Sequence, residues 1–133
     1  MSKTRVLLAD DYRPLLESVS GRLGPGFEIV GEAQNGQALV EAALKLKPDV
    51  IVTDISMPIL NGIEAAKRLR EAGSTSKIVF LTVISDPNFI LTCMVTGALG
   101  YVVKGRLVTD LEPAIREGVA GRIFISPALK SES

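Results

Sequence analysis

The chain has 133 residues, of which 47% are hydrophobic, and its 15 basic and 15 acidic side chains give a net charge of zero. This length and hydropathy fit one folded domain, and the balanced charge excludes an overall field that would draw the chain to nucleic acid or anionic lipid. Histidine is absent and Cys93 is the single cysteine, which excludes serine triads, zinc hydrolases, phosphohistidine carriers and an intrachain disulfide.

No stretch of the chain has the pattern of a signal peptide or of a membrane span. A lone thiol is typical of proteins from a reducing compartment. We therefore expect a soluble cytoplasmic protein that makes no contact with a membrane.

Apolar runs typical of buried strands alternate with helical patterns along the chain. The runs begin near Arg5, Phe27, Asp49, Lys77 and Gly100. Apolar residues recur at helical spacing within residues 16–23, 39–46 and 63–69, after the first three runs. A fourth helix is expected after the fourth run, in a stretch from Pro87 to Val103 that carries no charge.

The fifth helix is predicted to open at residues 109–112, Thr-Asp-Leu-Glu, which fit a capping box. Pro113 would then lie in the first turn, where a missing amide is tolerated. Five β–α units of this length predict an α/β fold, in which a five-stranded parallel sheet is covered by helices on both faces.

Polar side chains stand where four of the apolar runs stop. They are Asp10 and Asp11, Asp54, Thr82 and Lys104. Because ligands bind beyond the carboxyl ends of the strands in such sheets, these side chains are predicted to converge on one crevice. Three carboxylates, a hydroxyl and an ammonium suit a divalent cation together with a phosphoryl group.

Each acid taken alone could simply cap the helix that follows it. Three acids at two strand ends, however, repel one another unless a cation is present, and Mg²⁺ prefers oxygen ligands. One of the carboxylates could then act as a nucleophile at phosphorus. Lys104 would supply a point charge to the phosphoryl oxygens, and Thr82 would supply a hydroxyl donor.

Four motifs carry a resemblance to a known family. They are LLADD at 7–11, VIVTDISMPILNG at 50–62, VFLTV at 79–83 and GALGYVVKG at 97–105. The chain resembles the receiver domain of bacterial two-component response regulators. That resemblance implies a flavodoxin-like (βα)5 doubly wound sandwich with strand order 2-1-3-4-5.

Several features point to the NarL/FixJ branch of that family, whose members carry a helix-turn-helix domain of the LuxR type. Gly105 stands where many receivers have proline after the lysine, Val83 follows Thr82, and the chain closes with IFISPAL at 123–129. We expect a pliable loop at Gly105 for lack of that proline.

The resemblance implies a metal site and a phosphoacceptor. Asp54 would be the phosphoacceptor and a Mg²⁺ ligand, Asp11 would bind the ion directly, and Asp10 would act mainly through a bound water. The main-chain carbonyl of Ser56 would be the third protein ligand. Lys104 would pair with a phosphoryl oxygen.

It also implies a switch. Thr82 would close on another phosphoryl oxygen, and the rotamer of Tyr101 would follow that threonine. The change would bias the surface formed by the fourth helix, the fifth strand and the fifth helix. Ile84 is apolar where the family tunes the hydrolytic water, which predicts slow self-dephosphorylation.

The implied partner is a sensor histidine kinase, and the cofactor is Mg²⁺. The domain would be a signalling phosphoacceptor that catalyses only its own phosphorylation and dephosphorylation, with a homodimer expected as one consequence of phosphorylation. The output would be transcription, controlled by a DNA-binding domain that this chain lacks, so the chain itself would not touch DNA.

We expect the receiver to occupy residues 1–122, and residues 123–133 to begin an interdomain linker or form a C-terminal tail. A fragment of a longer regulator is favoured over a free-standing receiver. The uncharged fourth helix could either pack on the sheet or expose a contact surface for a dimer or an output domain.

Three other functions fit the sequence less well. A phosphatase of the haloacid dehalogenase type would need an acid at the position of Ser56, and a flavodoxin-like FMN carrier would need a phosphate-cradling first loop where Asp10 and Asp11 stand. A pseudo-receiver that acts purely as an interaction module is disfavoured by the full set of site residues.

Overall fold

The computed structural model describes residues 3–83 and 87–127, with the backbone alone for residues 87–90, so Ile84 lies outside the described residues. In chain order the elements are β1 (Thr4–Ala9), α1 (Arg13–Arg22), β2 (Phe27–Ala33), α2 (Gly36–Leu46), β3 (Val50–Asp54), α3 (Gly62–Glu71), β4 (Lys77–Thr82), α4 (Pro87–Met94), β5 (Gly100–Val103), a 3-10 turn (Lys104–Arg106), α5 (Leu107–Val119) and β6 (Phe124–Ile125). Within this described part, none of the helices has the length and hydropathy that crossing a membrane requires.

The strands form one parallel sheet in the order β2-β1-β3-β4-β5-β6. The predicted α/β class and the order of the first five strands are confirmed, but the predicted number of strands was wrong. β6 pairs with β5, because Phe124 N donates to Leu99 O and Ser126 N donates to Tyr101 O, both at 2.8 Å. Two residues are too short to show a strand period, so only tertiary contacts mark this strand.

The predicted division into residues 1–122 and 123–133 remains a prediction. What the structure adds is that Phe124 and Ile125, beyond that boundary, are half-buried and belong to the same sheet as β1 to β5.

Each face of the sheet packs against its own set of helices. α2, α3 and α4 cover one face, where Leu39, Leu69 and Cys93 pack in one cluster with Phe80 and Tyr101 from the strands. α1 and α5 cover the other face with a second cluster of buried side chains, among them Leu16, Val19, Leu111 and Ile115. Every residue of β3 is buried, as expected for a central strand of a parallel sheet covered on both sides.

An asparagine–glycine pair begins each of α2 and α3, and the second pair lies at the end of the loop after β3. The Asn35 side chain accepts a hydrogen bond from Ala38 N, and the Asn61 side chain accepts one from Glu64 N, both at 2.8 Å. A Cβ on Gly62 would collide with the carbonyl oxygen of Asp54. This glycine therefore allows the start of α3 to lie directly against the end of β3.

α5 begins at Leu107, so the capping box predicted at 109–112 was wrong. Leu107 is buried in the cluster beneath α1 and α5. Because this residue packs against the core, the helix begins here, directly after the 3-10 turn. Glu112, the acid of the predicted box, instead accepts a hydrogen bond from Gly24 N at 2.9 Å. Pro113 lies inside the helix rather than in its first turn.

Replacing Gly62 with alanine tests the contact between α3 and the end of β3. We expect Gly62→Ala to lower the free energy of unfolding by about 1–3 kcal/mol, since the new methyl group overpacks the loop. Urea denaturation measures the change. Gly21→Ala is the control, because nothing lies within 4 Å of its added carbon. Equal effects of the two substitutions would contradict the assigned contact.

Candidate functional site

The register of the sheet brings the predicted acids to one edge. In the pairing between β1 and β3, Ala9 lies opposite Thr53, so the next residues, Asp10 and Asp54, stand side by side at the ends of their strands. Asp10 is fully buried and Asp54 is 6% exposed. The expected convergence of these carboxylates is present in the structure.

Lys104 joins the two carboxylates from the end of β5. Its Nζ lies 2.9 Å from Asp10 Oδ2 and 3.0 Å from Asp54 Oδ2. The lysine side chain is 22% exposed, so these ion pairs are screened less than surface pairs. One ammonium offsets only one of the carboxylates of Asp10, Asp11 and Asp54, and the site stays strongly negative.

Burial and neighbouring charges set the protonation of the site. Burial raises the pKa of Asp54; Lys104 lowers it and the charge of Asp10 raises it again, leaving it above the ordinary value. Burial lowers the pKa of Lys104, but its contacts with Asp10 and Asp54 outweigh burial and leave that pKa raised. Lys104 is therefore an ammonium at neutral pH.

The acidic cluster fits a hard divalent cation. Side-chain oxygens of Asp10, Asp11 and Asp54 all lie within 4.8 Å of one another. Asp10 Oδ2 is buried, and Lys104 Nζ, at 2.9 Å, is its charged partner. Asp11 is exposed and leaves a side open to water. An all-oxygen site of this kind, open to water ligands, suits Mg²⁺.

Residues 6–116 match the sequence profile of the response regulator receiver domain. The chain belongs to this family. The resemblance inferred from the four motifs is thereby confirmed, and the protein is a signalling domain rather than a conventional enzyme.

The similar proteins are described as response regulators or as transcriptional regulatory proteins. YvfU of Bacillus subtilis, described as an uncharacterized transcriptional regulatory protein, is 36% identical over 127 residues, which are 94% of this chain and 64% of that protein. The nitrate/nitrite response regulator NarL of Escherichia coli is 36% identical over 126 residues, or 93% of this chain and 58% of that protein. The receiver thus spans less than two thirds of these relatives.

Solved receivers share the fold closely. The receiver domain of a putative response regulator NarL from Mycobacterium tuberculosis superposes with a TM-score of 0.87 at 27% identity, covering 92% of this chain and 100% of that one. A LuxR-family response regulator from Aurantimonas gives a TM-score of 0.90 at 30% identity, covering 96% and 93%. These likenesses place the receiver in the NarL and LuxR type.

The loop after β3 holds the remaining predicted ligand. Ser56 N donates to Asp54 Oδ1 at 3.3 Å, and this bond ties the loop to the carboxylate. The loop closes where Gly62 N donates to Ile55 O at 2.7 Å. The role of the Ser56 carbonyl as a metal ligand stays a prediction.

The two predicted switch residues are both buried. Thr82 ends β4 and lies opposite Val103 in the sheet. Val103 is the residue immediately before Lys104. The Tyr101 ring is fully buried with its centroid 6.3 Å from that of Phe80. Its hydroxyl donates to Ala98 O at 2.7 Å, and burial raises its pKa.

α4 divides its uncharged residues between core and surface. Cys93 is fully buried and burial raises its pKa to about 11, in agreement with its predicted role as a small core residue. Leu91 is 61% exposed and Val95, just past the helix, is 71% exposed. Their use as a contact surface stays a prediction.

Two features near the site were missed in the sequence. Asp110 and Ser126 are buried polar residues that bond to each other, a pairing that neither the capping box at 109–112 nor the IFISPAL motif predicted. Ile59, in the loop after β3, has φ of 70°, which is uncommon for a β-branched residue. The signal available in the sequence for the first feature was that Ser126 directly follows the apolar residues 123–125.

The raised pKa of Asp54 predicts a pH-dependent effect of neutralising it. Since its pKa is higher in the folded than in the unfolded chain, its contribution to stability is full below the unfolded pKa and is lost as pH rises through the folded pKa. We therefore expect Asp54→Asn to raise the unfolding free energy at pH 7 in EDTA, and to raise it less at acidic pH. Urea denaturation at several pH values measures this.

Glu71→Gln is the control for that series, because Glu71 is exposed at the end of α3. Adding Mg²⁺ to the wild type should stabilise it by about 2.7 kcal/mol at 100 times the Kd. Destabilisation by Asp54→Asn at pH 7 would show that the ionised carboxylate is not under strain.

Proposed function

We propose that this receiver takes a phosphoryl group onto Asp54 from a phosphohistidine of a sensor histidine kinase, in a reaction that depends on Mg²⁺. One observation carries the proposal. The nearly buried Asp54 carboxylate lies 3.0 Å from Lys104 Nζ and shares its strand-end crevice with Asp10 and Asp11.

The chemistry is a displacement at phosphorus. A carboxylate oxygen of Asp54 attacks in line with the histidine nitrogen, so that an O–P bond forms as the N–P bond breaks. The imidazole leaves and remains with the kinase. Asp54 must be ionised to attack; the contact with Lys104 favours the ionised form, although burial outweighs it and leaves the pKa of Asp54 raised.

The remaining site residues bind and neutralise charge. Asp10, Asp11, Asp54 and the Ser56 carbonyl would hold Mg²⁺, which when bound supplies positive charge opposite the phosphoryl oxygens. The Lys104 ammonium would move from Asp54 Oδ2 to a phosphoryl oxygen. Nζ contacts Asp10 at 2.9 Å as well as Asp54 at 3.0 Å, so the ammonium can exchange its contact with Asp54 for one with the phosphoryl group and keep its contact with Asp10.

The switch follows from the same edge of the sheet. The Thr82 hydroxyl would donate to another phosphoryl oxygen of the acyl phosphate. Thr82 lies opposite Val103, and Phe80 opposite Tyr101, so a shift at the end of β4 would reach β5 directly. The surface of α4, β5 and α5 would be biased between two states.

The output we propose is transcription, through a DNA-binding domain outside this chain, with the receiver acting in the cytoplasm. A structure of the related RcsB shows dimers bound to DNA. Two surfaces are candidates for a homodimer on phosphorylation: the exposed residues Leu91 and Val95, and a groove of about 530 Å³ between α1 and α5 that Leu23 and Val108 line.

Whether the chain is a fragment or a free-standing receiver leaves this chemistry unchanged. The alternative of a pseudo-receiver, which would bind partners without phosphorylation, is less well supported. It offers no reason for a lysine to bridge two buried carboxylates, an arrangement whose desolvation is costly.

Phosphorylation with a small donor tests the proposal. Incubation with acetyl phosphate and Mg²⁺ should add one phosphoryl group by intact mass, and Asp54→Asn or omission of Mg²⁺ should abolish it. Lys104→Met should slow it roughly 100-fold, as expected for loss of one charged donor at the transferring group. Lys67→Met, at an exposed lysine on α3, is the matched control.

A wild-type protein that gains no mass with any phosphodonor would overturn the proposal in favour of the pseudo-receiver. Sedimentation of the phosphorylated sample across a dilution series tests the homodimer. A monomer at every concentration would contradict that part alone.

A further inference from the structure

A buried polar network lies beside the Lys104 turn but outside the acidic cluster. Asp110, on α5, is 5% exposed and accepts three side-chain hydrogen bonds. Its Oδ2 accepts from Ser126 Oγ at 2.7 Å and from Arg106 Nε at 3.1 Å, and its Oδ1 accepts from Thr109 Oγ1 at 3.0 Å. A buried carboxylate with its hydrogen bonds satisfied in this way holds its partners in place, and we call Asp110 the anchor of the network.

Ser126 connects this anchor to β5. It is fully buried, and its hydroxyl accepts a hydrogen bond from Val103 N at 3.1 Å while donating to Asp110. Its own N–H donates to Tyr101 O at 2.8 Å. Ser126 therefore both extends the β6 pairing and satisfies the last amide of β5.

The network holds the chain on both sides of Lys104. Val103 immediately precedes the lysine, and Arg106 follows it by two residues, so the 3-10 turn is tied to Asp110 on both sides. Gly105 stands in the middle of this turn and allows a wide range of backbone conformations. The bonds from Ser126 and Arg106 restrict a turn that its own sequence leaves free.

We propose that Asp110 and Ser126 are positioning residues for Lys104, through which the Phe124–Ser126 segment holds the lysine over the two carboxylates. This inference rests on the proposed phosphotransfer function. Removal of that segment from the edge of β5, by a partner or by a neighbouring domain, would release the turn and slow phosphorylation. The Phe124–Ser126 segment is thus connected to the site through the hydrogen bonds of Ser126 with Val103 and Asp110.

The charge state of Asp110 is consistent with this role. Burial raises its pKa, but the hydrogen bonds from Ser126, Thr109 and Arg106 outweigh burial, and the pKa lies below the ordinary value. The carboxylate is therefore ionised at neutral pH and accepts all three bonds at once.

A kinetic cycle tests the inference. We expect Ser126→Ala to lower the rate of phosphorylation by acetyl phosphate about 10-fold, less than the roughly 100-fold that a misplacement of a full ångström can cost. Because the Lys104 ammonium contacts Asp10 and Asp54, two of the proposed Mg²⁺ ligands, its release should also lower the Mg²⁺ dissociation constant. Asp110→Asn should act in the same direction and serves if the first variant folds poorly. In a Lys104→Met background, Ser126→Ala should have no further effect.

Ser76→Ala is the matched control. Ser76 Oγ donates to Pro48 O at 2.6 Å, so this variant also loses a hydrogen bond from a serine hydroxyl, here half-buried and at the opposite end of the strands. It should keep the wild-type rate. A wild-type rate in Ser126→Ala, or the same loss in the Lys104→Met background as in the wild type, would overturn the inference.

Amide hydrogen exchange separates this inference from the proposed function. Ser126→Ala should speed exchange at Val103 to Arg106, and Ser76→Ala should not. If the wild type takes no phosphoryl group, the proposed function fails on its own. Unchanged protection of the turn in Ser126→Ala would then overturn the positioning role independently.

Discussion

The contact of Lys104 with both Asp10 and Asp54 is the interaction on which the rest of the site depends. Two carboxylates that are nearly excluded from water repel each other and favour protonation, and the single ammonium between them offsets this. Because Asp11 adds a third acid nearby, the compensation is incomplete. A site left negative in this way suits a divalent cation, which is the basis of the phosphotransfer that we propose.

Backbone geometry brings the three side chains of this contact to one place. The parallel register sets Asp10 beside Asp54, and the turn after β5 delivers Lys104 to the same edge of the sheet. Gly62 lets α3 pack against the Asp54 carbonyl. The charges are therefore held together by the sheet rather than by their own attraction, which would not compensate for the desolvation of buried ions.

Much of this could be predicted from sequence because the signals are local. Apolar runs mark β1, β3, β4 and β5, and residues that end parallel strands must share one edge, so the convergence of the acids with Lys104 follows. The bridging of Asp10 and Asp54 by the lysine did not follow, since it depends on a rotamer set by both partners. Our prediction paired Lys104 with a phosphoryl oxygen only.

The errors arose where tertiary contacts override local pattern. β6 has two residues and exists because Ser126 bonds to β5 and to Asp110. The capping box at 109–112 is a strong local signal, yet burial of Leu107 starts the helix earlier. In both cases the decisive partner is distant in the chain or lies beneath the helix.

A crystal structure with Mg²⁺ and beryllium trifluoride, an analogue of the phosphoryl group, tests the central claim most directly. Our account predicts beryllium bonded to an Asp54 carboxylate oxygen, with Lys104 Nζ and Thr82 Oγ1 each bonded to a fluoride and Mg²⁺ held by Asp11 and Asp54. A structure in which the analogue binds elsewhere, or in which Lys104 stays on Asp54 with no contact to the analogue, would contradict it.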